Sequence, residues 1–156
     1  MSYPSGAIVA GGNGSGNGVT QLYSPYGLIF DSVTQSFLIP NYNTHNIVRW
    51  KLGDTSRTHV AGDIAGSAGS TSTLLRKPVG VTMDPMGNLY VADSGNHRIQ
   101  FFLADQSTAT TIAGITGVPG TNSDQLNAAY WVALDTQLNL YVADTFNDRV
   151  LKYLRY

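Results

Sequence analysis

The sequence contains no cysteine. Disulfides, thiolate metal sites and a cysteine nucleophile are therefore excluded. Charge is also scarce: Asp, Glu, Lys and Arg together make up 12% of 156 residues, against a usual share of about 25%. Nine basic and ten acidic side chains give a formal net charge of −1. No overall field draws such a chain to nucleic acid or to an anionic membrane, so neither is expected as a partner. No apolar run approaches the ~20 residues of a membrane helix. The segment from Met1 to Gly6 lacks the basic and apolar regions of a signal peptide. No stretch has a helical period. The recognisable catalytic signatures are missing as well: Gly-x-Ser-x-Gly, His-Glu-x-x-His and the Walker loop do not occur. The run from Gly11 to Gly18 contains Gly-x-Gly spacing and the acceptor-like triplet Asn13-Gly14-Ser15. No helical pattern follows it, so it reads as a flexible loop.

What the sequence has is glycine and repetition. Seventeen glycines punctuate a chain that is 42% hydrophobic, enough to fold rather than stay disordered. The hexapeptide Asn88-Leu89-Tyr90-Val91-Ala92-Asp93 recurs letter for letter at Asn139 to Asp144, 51 residues on. A drifted copy lies at Ser36 to Asn41. Val9-Ala10-Gly11, Val60-Ala61-Gly62 and Ile112-Ala113-Gly114 keep the same step, as do Asp31, Asp84 and Asp135. A period near 50 residues marks a repeat architecture. Repeat units are expected at about 8–58, 59–110 and 111–156. In the second, apolar β-prone runs fall at 80–84, 88–92, 98–103 and 110–113, separated by Pro, Gly, Asn and Asp. Val, Ile, Tyr, Phe and Thr suit strands, and the separators suit turns. Four antiparallel strands per repeat describe an all-β propeller of four-stranded blades.

The residues that recur also carry a family resemblance. The run from Pro78 through Asp93-Ser-Gly-Asn-His-Arg98 to Phe102 resembles an NHL repeat, and so does the third copy through Asp144 and Arg149. The first copy, Pro25 to Trp50, is a weaker match. The resemblance implies a propeller, commonly six-bladed in that family, and this chain would supply three NHL-like blades, half of such a ring. It does not fix a function, since the same repeat serves scaffolds, sensors, RNA binders and a few enzymes.

Asp93 ends one strand and Arg98 begins the next, as Asp144 and Arg149 do; in the first repeat the two positions are Asn41 and Asn46. Both charges disappear together, which points to a structural pair bracing the turn, because either charge alone would be costly to bury. The recurrent Asp31, Asp84 and Asp135 read as turn caps. Pro40 marks a strand end or a bulge, since a central strand disfavours Pro.

Residues 7–11 match a fourth strand with no first three before them, while the third repeat ends after its third strand. The N-terminal strand is therefore expected to complete the blade of residues 129–154. A homodimer in which two chains exchange these strands would close a six-bladed ring.

Three long connections gather with the turns between second and third strands on one side, and loops on a rigid scaffold usually carry binding. The binding candidates there are Trp131, Tyr130, Tyr26, Tyr42 and Phe146, with His45, His97 and Asp148 at equivalent turn positions. The His/His/Asp set invites a metal reading, but equivalent turns on adjacent blades lie too far apart for ~2 Å ligand bonds. No metal, no cofactor and no catalytic residue is expected. The leading reading is a non-enzymatic scaffold for a protein, peptide or glycan ligand. The alternatives are a propeller lyase or hydrolase with a metal at the channel mouth, or a purely structural propeller fragment.

Overall fold

A computed structural model describes residues 5–155. Eleven strands follow in chain order: β1 (Ile29–Asp31), β2 (Ser36–Asn41), β3 (Asn46–Lys51), β4 (Thr58–Gly62), β5 (Pro78–Met83), β6 (Leu89–Asp93), β7 (Arg98–Phe102), β8 (Ala109–Gly114), β9 (Trp131–Leu134), β10 (Leu140–Asp144) and β11 (Arg149–Tyr153). They form three antiparallel sheets, β1-β2-β3-β4, β5-β6-β7-β8 and β9-β10-β11. Each sheet is a blade, and the third has three strands among the described residues. Residues 7–11 form no strand, and no described residue pairs with the outer edge of β11.

Local chemistry sets the turns. Between the first two strands of each blade an aspartate folds its own loop. Asp84 Oδ1 accepts the Met86 and Asn88 N–H groups at 2.9 and 3.0 Å, and Asp135 Oδ1 accepts those of Gln137 and Asn139 at 3.0 and 2.8 Å. These are Asx-type turns. Between the second and third strands the chain makes one 3₁₀ turn and then a left-handed residue, His45, His97 or Asp148, with φ of 55°, 56° and 50°. Pro40 lies inside β2, opposite Ile47 of β3. Strand β1 begins only at Ile29, which pairs with Leu38, so the ladder on that side has lapsed before the missing Pro40 N–H could be needed.

The core lies between blades. Leu38, Ile47 and Ala61 of the first blade meet Val81, Val91 and Phe102 of the second; Ala92, Ile99 and Ala113 of the second meet Val132, Leu140 and Val142 of the third. Period-2 alternation puts one set of apolar side chains on each blade face. Among the described residues the outer faces of the end blades are largely uncovered. Val150 is 69% exposed, whereas its counterparts Ile47 and Ile99 are fully buried. Leu28 is 55% exposed, whereas Val81 and Val132 are buried to 1% and 2%. A third cluster, Ile39, Val48 and Trp50, is partly covered by Ala10 and Leu22. The Trp50 indole N–H donates to the Asp54 carbonyl at 2.9 Å.

In the first blade Asp31 does more than cap its turn. Its Oδ1 accepts the Val33 N–H at 3.0 Å, and its Oδ2 accepts both the Arg49 guanidinium at 2.8 Å and the Thr34 hydroxyl. The Thr34 hydroxyl, with Arg49 and the turn amides, outweighs burial and holds the Asp31 carboxyl at about 2. A carboxyl held below its unfolded value adds stability above pH 4, and that contribution is lost as pH falls toward 2. Thermal melts of Asp31→Asn should therefore be shifted down at pH 7, with the gap to the parent narrowing between pH 4 and 2. A gap independent of pH would show that the ionised carboxylate contributes nothing.

Candidate functional site

The side of the blades that carries the 3₁₀ turns also carries the long connections, and aromatic side chains cluster there. Tyr26 precedes the inner strand of the first blade, and Tyr42 opens the turn after β2. Their rings meet at 4.8 Å between centroids, tilted by 52°. The Lys77 ammonium sits 5.6 Å above the Tyr42 ring, a cation–π distance. On the third blade Tyr130 and Phe146 repeat the arrangement at 5.7 Å. Tyr26 and Phe146 are exposed.

Trp131 begins β9 and is 45% exposed. Its indole reaches toward the first blade: a Cβ placed on Gly27 would lie 3.0 Å from Trp131 Cζ3 and 2.8 Å from the Val79 carbonyl. Glycine at 27 therefore makes room for the indole and for the neighbouring strand. Gly80 does the same between the second and third blades, where a Cβ would lie 2.6 Å from the Tyr130 carbonyl. The inner strands thus approach one another closely, and the tryptophan spans their mouth.

The two histidines have another role. His45 Nδ1 accepts the Lys77 N–H at 3.1 Å, and His97 Nδ1 accepts the Ala128 N–H at 3.1 Å. Each ring clamps its blade to the connection entering the next. Burial pushes the His45 imidazole below its ordinary pKa, with the cations of Lys77 and Arg76 acting in the same direction. Asp148, at the equivalent turn of the third blade, is exposed. The structure does not bring His45, His97 and Asp148 together, and among the described residues no group of three His, Asp or Glu side chains is placed to hold a metal ion.

The Asp–Arg pairs are the structural centres of the second and third blades. Arg98 Nε donates to Asp93 Oδ2 at 2.8 Å, with both side chains buried, at 3% and 0% exposure. The rest of the guanidinium donates to the carbonyls of Ser70, Thr71 and Leu74 at 2.8–3.0 Å. Arg149 binds Asp144 at 2.8 Å and the carbonyls of Thr121, Asn122 and Gln125. Each arginine therefore holds a long connection as well as its aspartate. Burial pushes the Asp93 carboxyl up, against the Arg76 N–H, Asn96 and Arg98, which pull it down. In the first blade Arg57, the residue before β4, supplies the missing guanidinium and donates to the carbonyls of Asn17 and Gly18. The sequence comparison of equivalent positions did not point to Arg57, because it lies eleven residues beyond Asn46.

On the opposite side, the second and third blades enclose an open cleft of about 440 Å³ lined by Tyr90, Phe101, Leu140 and Tyr153 among others. None of the sequence candidates lines it.

Three antiparallel blades around a line of close-packed inner strands make this chain a segment of a β-propeller. Residues 75–102 match the family model of the NHL repeat. Solved structures share the fold. An auxiliary nutrient binding protein from Bacteroides thetaiotaomicron aligns with a TM-score of 0.66 at 21% identity, over 80% of this chain and 36% of that one. A structural-genomics protein of unknown function from the same organism gives 0.70 at 19% identity, over 81% and 34%. A streptogramin B lyase gives 0.59 at 12%, over 83% and 37%. The chain thus spans little more than a third of the length of the structures it matches. No curated protein sequence matches it.

Proposed function

We propose that the chain is a non-enzymatic binding module that engages a peptide or glycan through its loop-rich face, with the ring completed by a second copy. The observation that carries this reading is the row of aromatic rings on one face: Tyr26 against Tyr42, Tyr130 against Phe146, and Trp131 across the inner strands. Aromatic side chains offer large contact area at little conformational cost, with a polar handle on Tyr and Trp. They stand here on strand ends and clamped turns, so the surface is preorganised. That a nutrient-binding protein has the same fold is consistent with a ligand-holding role.

The test is binding of Trp131→Ala and the parent to arrays of oligosaccharides and of peptides, followed by titration calorimetry. Loss of a central aromatic anchor costs at least about 2 kcal/mol, which is about thirtyfold in affinity. The variant should melt close to the parent, since the indole is half exposed. Equal binding by parent and variant would remove the aromatic face as the site. Ring closure is tested separately by light scattering, which should give twice the 16.7 kDa chain mass.

A further inference from the structure

The two junctions inside the chain are built alike, and the open ends carry the two halves of a third. Lys77 and Ala128, whose N–H groups bind His45 and His97, both adopt left-handed backbone, with φ of 52° and 49°. Ser24 is their counterpart before the first blade, with φ of 54°. Its N–H donates to no group among the described residues. Asp148 is the counterpart of the two histidines at the far end. Its carboxylate is exposed and unbonded among the described residues. One end therefore presents the donor and the other an acceptor, each in the conformation used at the internal junctions. At the second junction the Ser94 hydroxyl also donates across to the Ala129 carbonyl, whereas its counterparts Thr44 and Thr145 donate within their own blades.

The strand edges match as well. Gly11 has φ of 69°, as Gly62 and Gly114 have 84° and 81°. Ala10 packs on Ile39, Val48 and Trp50 of the first blade, as Ala61 and Ala113 of the fourth strands β4 and β8 pack on the blades that follow them. Residues 9–11 thus hold the position of a fourth strand with no other strand of its blade among the described residues, and among these β11 has an unpaired edge. Open edges of this kind are templates for pairing. The apolar surfaces to be covered are those around Val150 and Leu28.

Resting on the ring-closure reading, we infer that the partner is a second copy of this chain, held in one register. β11 takes residues 7–11 of the second copy as its outer strand. The internal blades set the alignment: Asn46 and Arg98 pair with Gly62 and Gly114, Ile47 and Ile99 with Ala61 and Ala113, and a bulge follows before Val48 and Gln100 pair with His59 and Thr111. Arg149 therefore lies opposite Gly11 and Val150 opposite Ala10, with Val9 in the bulge. Leu151 lies opposite Ile8 and Lys152 opposite Ala7. Asp148 accepts the second copy's Ser24 N–H. A two-fold arrangement makes this junction twice, so both ends of both chains are satisfied.

The chain has no cysteine, so Ala10→Cys/Val150→Cys introduces two thiols without background. Oxidation should give a covalent dimer, and Ile8→Cys/Val150→Cys at least tenfold less. Gly11→Ala is the second test. In the single chain its Cβ would meet only the Leu22 side chain. At Gly62 and Gly114 the same Cβ would strike the carbonyls of His45 and His97, so in the ring it would strike the second copy's Asp148 carbonyl. The variant should stay folded and run as a monomer. A dimer by light scattering that cross-links equally well out of register would overturn the register and leave ring closure standing. A parent of single-chain mass would overturn both, and a disulfide formed within one chain would overturn the second copy as partner.

Discussion

Arg98→Ala is expected to lower the unfolding free energy by about 3–5 kcal/mol, the range for removing one partner of a buried ion pair. The substitution leaves the fully buried Asp93 carboxylate without its guanidinium and frees the carbonyls of Ser70, Thr71 and Leu74 together. For a chain of this size that is a fall of roughly 6–20 °C in melting temperature. Part of the deficit should be relieved by acid. Burial already pushes the Asp93 carboxyl up, and without Arg98 it rises further above its unfolded value. A group of that kind is stabilising when protonated, and loses its contribution as pH rises through the folded pKa. The deficit should therefore be smaller at pH 4 than at pH 7. Asp93→Asn/Arg98→Asn reproduces the residues the first blade carries at Asn41 and Asn46, and should cost less than Arg98→Ala. Urea melts of the parent and both variants measure this directly. A double variant worse than the single would mean that the loop carbonyls, and not the stranded carboxylate, dominate the loss. Arg149→Ala should cost less than Arg98→Ala, because Arg149 is a quarter exposed.

Gly114→Ala is expected to cost more than about 3 kcal/mol. Two effects add. The residue has φ of 81°, where an L side chain is disfavoured by roughly 1–2 kcal/mol. A Cβ there would also drive into the His97 carbonyl and approach Arg98 Cα at 3.0 Å, and neither backbone group can turn away without breaking the β7–β8 pairing. Gly117→Ala separates the two terms. Its φ is 74°, but nothing lies within 4 Å of an added Cβ, so it should show the conformational cost alone. If the two variants melt together, the close approach of the strands carries no penalty.

The blades were legible in the sequence because each repeat advertises itself twice, through period-2 apolar runs and through Asp and Gly at fixed turn positions. Asp84 and Asp135 cap their loops through hydrogen bonds two to four residues away, and so local a reach can be read from a repeat. The Asp93–Arg98 pair could be read for the same reason. What the aligned positions could not reveal was contact between blades. His45 and His97 stand at equivalent positions and suggested ligands, yet their partners are backbone N–H groups 32 and 31 residues away, and a backbone donor leaves no mark in a sequence. The Tyr26–Tyr42 pair and the cation of Lys77 above it depend likewise on how a connection folds back over its turn. Arg57 leaves no mark at the aligned positions, because it takes over the Asn46 position's task from the connection before β4.

The placement of the two tryptophans has a practical consequence. Trp50 is sealed against Ile39 and Val48, with its N–H bound to a carbonyl, while Trp131 lies in the open at the mouth of the inner strands. No other tryptophan is present. The chain therefore carries two optical reporters with separate duties. A soluble quencher such as iodide reaches Trp131 and spares Trp50, so the quenchable emission reports on the proposed binding face, and the protected emission follows the integrity of the first blade.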